Sequence, residues 1–138
     1  MTYLKSFFDG IVAIVNSRRR KKYVGELRKT LNNKHWQKEL ATLKISLPRR
    51  QGNSTLAIML LEKFSKKAIL VTGFKAAAQA ITKQLKPKQL HLSRSIYTVL
   101  GLHADPREEI IIIDGLSSSN YDLVYESCQH AKFFIFIG

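Results

Sequence analysis

Leu43-Lys44-Ile45-Ser46-Leu47-Pro48-Arg49-Arg50-Gln51-Gly52-Asn53-Ser54-Thr55-Leu56-Ala57-Ile58-Met59-Leu60-Leu61 is the stretch on which the reading of this chain turns. Leu43, Ile45 and Leu47 alternate with polar residues, as a strand with one apolar face would. A short basic loop with one glycine follows, and two hydroxyl residues, Ser54 and Thr55, lead into an apolar run of helical character. A strand, a tight turn and a helix in that order place backbone N–H groups and the positive end of the helix dipole where an anion can sit. The usual fingerprint of such a phosphate-binding loop is G-x-x-x-x-G-K-[ST]. Gly52 and Ser54 fit it, whereas Asn53 stands where the lysine is expected and Leu47 where the first glycine is expected. Read without a ligand, the same residues make a basic turn with Ser54 or Thr55 as the helix N-cap.

The 138 residues suffice for one domain with a substantial core, and 45% hydrophobic with 24% charged side chains is a globular balance. No apolar run approaches the ~20 residues of a membrane span. Phe7 to Val15 is short, contains Asp9 and lacks a small-residue cleavage site, so no secretory signal is expected. A single cysteine, Cys128, excludes an internal disulfide framework, fits a reducing, cytoplasmic compartment, and reads as a small buried hydrophobe.

The net charge of +13 is unevenly distributed. Residues 1–40 carry 10 basic and 3 acidic side chains, residues 41–90 carry 10 and 1, and residues 91–138 carry 3 and 6. Such a field attracts polyanions, so nucleic acid is the first partner to consider, with an acidic protein as the alternative. The densest run is Arg18, Arg19, Arg20, Lys21 and Lys22, which suits a phosphate backbone; as a helix end it would simply be solvated, and a nuclear address is a third reading.

Around the loop, Tyr3 to Val15 has helical apolar spacing, and residues 23–41 do so again with a break at Asn32-Asn33. Leu56 to Phe64 predicts a buried helix, Ala68 to Gly73 a strand, Ala76 to Leu85 a helix closed by Pro87, and Leu90 to Val99 one strand or a strand pair. Glu109-Ile110-Ile111-Ile112-Ile113-Asp114-Gly115 predicts a strand buried on both faces, followed by a helix over 121–131 and a last strand, Phe133 to Gly138. Alternating strands and helices predict an α/β fold, a three-layer sandwich with a mainly parallel central sheet over 42–138, preceded by a basic helical segment over 1–41.

The order strand, phosphate loop, helix, strand, helix, strand ending in aspartate, helix, strand resembles the ATPase core of the P-loop NTPases. In detail it is similar to the ATPase domain of the phage large terminases, with the superfamily 2 helicases close behind. That family often has an arginine three residues before the loop glycine, the place of Arg49. Ile110 to Asp114 resembles its second nucleotide motif, and Gly101-Leu102-His103-Ala104-Asp105 is similar to the stretch that precedes it. The closing strand lies where the family couples hydrolysis to movement, and Gln37 resembles an upstream adenine-reading glutamine. The resemblance covers roughly residues 37–138.

The resemblance implies ATP and Mg2+ as ligands. Arg49, Arg50, Gln51, Gly52, Asn53, Ser54 and Thr55 would surround the phosphates, and Ser54 with Asp114 would hold the metal, directly or through water. It also implies a role with nucleic acid, in viral DNA packaging or processing inside a host cell. Gly115 stands where the family has the glutamate that orients the attacking water, so hydrolysis is expected to be weak or lost. A complete motor would then need a protein partner that supplies the missing groups. The competing expectation is a non-enzymatic protein that keeps the fold and binds nucleic acid or an acidic partner through its basic face. A membrane anchor made of Tyr3 to Val15 with the Arg18–Lys22 run is the least expected of the three, because Asp9 interrupts its apolar face.

Overall fold

The computed structural model describes residues 2–17, 22, 41–46, 52–102 and 107–138. Helix α1 (Thr2–Asn16) comes first, followed by β1 (Thr42–Ile45), α2 (Asn53–Lys63), β2 (Ala68–Thr72) and α3 (Lys75–Lys83). A 3-10 helix over Pro87–Ser95 leads to β3 (Ile96–Thr98) and then to β4 (Ile110–Asp114). A single 3-10 turn over Ser118–Asn120 precedes α4 (Tyr121–Ser127), and β5 (Phe133–Ile137) closes the chain. The predicted helix over 23–41 falls outside the described residues, apart from Ala41.

The five strands of the described residues all pair in parallel, in the order β1-β5-β4-β2-β3. Each residue of β2, β4 and β5 is buried, as the unbroken apolar runs predict for a parallel sheet covered on both sides. The crossovers β1-α2-β2 and β2-α3-β3 run one way across the sheet, and β4-α4-β5 runs the other. One handedness of connection therefore puts α2 and α3 on one face and α4 on the opposite face. The two apolar clusters follow suit: Leu56, Leu60 and Ile81 pack with Leu70, Ile112 and Ile135, whereas Val124 and Tyr125 pack with Val71, Ile113 and Phe134. Both faces are thus layered with helices, as in an α/β sandwich.

Helix α1 contributes to the first cluster, with Leu4, Ile11 and Val15 at 4%, 4% and 2% exposure. Burying each of these side chains is worth about 1.5–3 kcal/mol. At the other face, Tyr125 stacks obliquely on Phe134 at 4.6 Å, and its hydroxyl lies 2.7 Å from Thr42 Oγ1. That bond ties α4 to the edge strand β1.

The strand reading of Leu90 to Val99 is corrected: only Ile96–Thr98 is strand, and Pro87–Ser95 is 3-10 helix. A strand would place Leu90 and Leu92 on one face, but Leu92 is 1% exposed and Leu90 57%. Pro87 fixes a helical φ at the first turn, and the Lys86 backbone N–H donates to Gln89 Oε1 at 3.1 Å, closing the start of the helix. The apolar alternation at 90 and 92 was therefore coincidental. Cys128 is fully buried, in the cluster under α4.

Candidate functional site at the carboxyl ends of the strands

Period-two alternation decides where Asp114 points. Ile110 and Ile112 face α2, so Asp114 at the end of β4 shares that face. Helix α2 starts after β1 and crosses beneath β5 and β4 on its way to β2, which brings its first turn to the same point. The outcome is a contact across 60 positions of sequence: Ser54 Oγ donates to Asp114 Oδ2 at 3.2 Å. Asp114 is 7% exposed. Burial pushes its carboxyl above the ordinary carboxylate range, and the Ser54 hydrogen bond acts in the opposite direction.

Gly52 is the N-cap of α2, in the left-handed region at φ 84°, and among the described residues no side chain caps the helix. The N-cap reading of Ser54 or Thr55 does not hold, because the helix begins at Asn53 and the Ser54 hydroxyl is turned to Asp114. Gly52 is required twice over. Its φ favours glycine, and a Cβ there would come within 2.9 Å of Leu4 Cδ1 on α1. Asn53 Oδ1 is buried and has no hydrogen-bond partner among the described residues, which is uncommon enough in folded proteins to point to a ligand-facing group.

Two further groups lie beside Asp114 at the ends of the strands. Thr72 ends β2 in register with Asp114 and is fully buried, its hydroxyl 3.4 Å from the Phe74 carbonyl. Gly73 and Gly115, just beyond the two strands, approach so closely that a Cβ on Gly73 would lie 3.3 Å from the Gly115 carbonyl oxygen. Gly115 itself has φ 72° with open space around it. The strands β2 and β4 send their following helices in opposite directions, so Thr72 and Asp114 sit at the topological switch point, where ligands of parallel α/β sheets collect.

Of the residues proposed from sequence, Gly52, Asn53, Ser54 and Asp114 converge here, and exposed Thr55 lies one position further along α2. Arg49, Arg50, Gln51, Gln37, Arg18, Arg19, Arg20 and Lys21 lie outside the described residues, and Lys22 is exposed. Thr72 was missed; the signal was a lone hydroxyl closing an apolar strand one position before glycine. Among the described residues, no group of three or more His, Cys, Asp and Glu could hold a metal ion, and no helix is long and apolar enough to cross a membrane. A groove of 540 Å3 lies elsewhere, between α1 and β1, and is lined mainly by Phe7, Ile11, Ile14, Leu43 and Ile45, with Ser6 and Lys44 as its polar members. It lacks the convergent polar groups that Ser54 and Asp114 provide.

Magnesium can be tested against this donor set. Adjacent ligands of an octahedral magnesium lie about 2.9 Å apart, and the Ser54 and Asp114 oxygens are 3.2 Å apart. The hydroxyl, the buried carboxylate and the backbone N–H groups of the helix start suit a metal–phosphate ligand. A cation here would also favour the ionised form of Asp114, which burial disfavours. Comparison with known protein families and with curated proteins finds no match to this chain.

Proposed function

We propose that this chain is a nucleic-acid-associated protein of the P-loop NTPase type, similar to the ATPase core of terminases and superfamily 2 helicases, that binds Mg-ATP and hydrolyses it slowly or not at all. One observation carries the reading: the hydroxyl at the start of α2 and the carboxylate at the end of β4 meet at 3.2 Å. A basic turn with no ligand has no need of that meeting, nor of a buried carboxylate held above its ordinary pKa.

In this reading the phosphates sit over the backbone N–H groups of Asn53, Ser54 and Thr55, where the dipole of α2 favours negative charge. Ser54 and Asp114 hold the magnesium, which when bound neutralises phosphate charge. Arg49 supplies the cation that Asn53 cannot, its guanidinium binding oxygens in pairs. Gly115 offers no side chain to orient a water, so binding without efficient turnover is the expected behaviour. The high positive charge of residues 1–90 supports nucleic acid as partner.

Isothermal calorimetry with Mg-ATP tests the proposal on the wild type, Ser54→Ala and Arg49→Ala. Saturable binding that weakens at least tenfold in both variants is expected. No heat of binding at millimolar nucleotide would reject it and leave the non-enzymatic polyanion-binding reading.

A further inference from the structure

The opposite end of the sheet carries a second feature that the nucleotide site does not use. Residues 62–94 contain eight lysines and arginines and one acid, Glu62. The parallel topology gathers most of them at one place. Lys63 ends α2, Lys66 and Lys67 lead into β2, Lys83 ends α3, and Lys86 and Lys88 flank the start of the 3-10 helix that leads to β3. All six belong to the amino-terminal pole of the sheet, and all six are exposed.

The backbone fixes this arrangement. Ile110 N–H donates to the Lys67 carbonyl at 3.0 Å, and Lys132 N–H donates to the Glu109 carbonyl at 2.7 Å, so the chain segments entering β2, β4 and β5 are stitched together. Among the described residues at this end, Glu62 accepts from Gln89 Nε2 and Glu109 pairs with Lys132 at 3.2 Å, while Glu108 and Glu126 lie on the β4 and β5 side of the pole. The six lysines belong to the β2 and β3 side, where Glu62 is the one acid between residues 62 and 94. Helix α1 also ends at this pole, where Val15 and Asn16 line a cleft with Lys67 and Lys132. From Ser17 the chain continues directly into Arg18-Arg19-Arg20-Lys21-Lys22.

We propose that this amino-terminal pole is a docking surface for the phosphate backbone of duplex nucleic acid, remote from the nucleotide site. The proposal rests on the reading of the chain as nucleic-acid-associated. Lysines are point charges without base-reading geometry, and Phe64, the aromatic residue between Lys63 and Lys66, is buried and offers no face on which an unpaired base could stack. Backbone contact with a duplex, insensitive to sequence, is what such a surface provides. The four strands β5, β4, β2 and β3 set side by side make the pole about 14 Å wide, enough to face several phosphates of a duplex that carries one charge per about 1.7 Å. An anionic membrane would be served by charge together with an apolar wedge; among the described residues of this pole the large exposed apolar side chains are Leu90, at 57%, and Ile14 in the last turn of α1, at 37%, and they stand on separate elements.

Fluorescence anisotropy with a labelled duplex of about 20 base pairs, read over a salt series, tests the surface. The proteins are the full chain, a variant with Lys63→Gln, Lys66→Gln and Lys67→Gln, a second with Lys83→Gln, Lys86→Gln and Lys88→Gln, and a control with Lys5→Gln and Lys75→Gln. Each triple variant should lower the slope of log K against log salt by about 2 to 3, since each lost phosphate contact removes about 0.9, and should weaken binding more than tenfold. The control should lose less. Unchanged melting temperatures establish that the variants are folded. Tight wild-type binding with equal slopes in all variants would overturn this surface and leave the nucleic-acid reading standing. Absence of duplex binding by the wild type would overturn both. Flotation with phosphatidylserine vesicles, abolished in the triple variants whose duplex binding is intact, would assign the pole to membranes and overturn the proposal.

Discussion

Replacing Asp114 by asparagine should make the protein more stable at neutral pH and, on the proposed reading, weaken its binding of magnesium. Asp114 is 7% exposed, and among the described residues its carboxyl receives one side-chain hydrogen bond, from Ser54. Its ordinary value is 3.8, and burial raises it in the folded chain. Between those two values the native state binds more protons than the unfolded state, so stability falls as pH rises through the window, and the loss persists above it. Asparagine keeps the shape and an acceptor for Ser54 but never carries the charge. The variant should therefore gain about 1 kcal/mol at pH 7–8, a rise of about 3–6 °C in melting temperature for a chain of this size. The difference should shrink as pH falls towards the ordinary value, where both side chains are neutral. Urea titrations from pH 4.5 to 8, with unchanged m values, measure it. Saturating Mg-ATP should then reverse the order: at 100 times Kd the wild type gains about 2.7 kcal/mol and the variant far less. Should Asp114→Asn instead be less stable by the same amount at every pH, the carboxylate serves only to begin a turn, and the argument from burial fails.

Three other perturbations bear on the same site. Ser54→Ala removes the bond that opposes the effect of burial, so Asp114 moves further above its ordinary range and the variant loses about 1 kcal/mol at pH 8 and less at pH 5, measured by urea denaturation. Gly52→Ala meets Leu4 Cδ1 at 2.9 Å and a left-handed φ, and should cost about 1–3 kcal/mol; combined with Leu4→Ala, the two losses should be less than additive, and strict additivity would mean that α1 does not press on the loop. Gly115→Ala has a positive φ but open space, so its cost should stay near 1 kcal/mol, and a much larger loss in thermal denaturation would place an unseen neighbour beside it.

Much of this fold was legible because its strands are buried on both faces. Four isoleucines before Asp114 and the run Phe133 to Ile137 have few alternatives to central parallel strands, and they occupy the middle of the sheet. The edges were harder to read. The residues leading into β3 alternate in hydropathy yet form 3-10 helix, because Pro87 and the Gln89 acceptor set a helical start that two leucines cannot override. The site was half legible. Asp114 and Ser54 could each be read as a turn former or a cap; their meeting depends on which pleat face Asp114 occupies and on α2 crossing two strands, and both are properties of the sheet order. Thr72 became visible only when its register partner was known to be Asp114. The lysine pole was hidden for a similar reason: in sequence it is a diffuse excess of charge, and parallel topology collects it at one end.

The most direct test of the central claim, that Ser54 and Asp114 form the metal end of a nucleotide site, is the effect of magnesium on ATP affinity in the wild type and in Asp114→Asn. Calorimetric titrations with excess Mg2+ and with EDTA give four dissociation constants. Magnesium should tighten ATP binding at least tenfold in the wild type and leave the variant almost unchanged. Equal enhancement in both proteins would contradict the assignment of Asp114 to the metal.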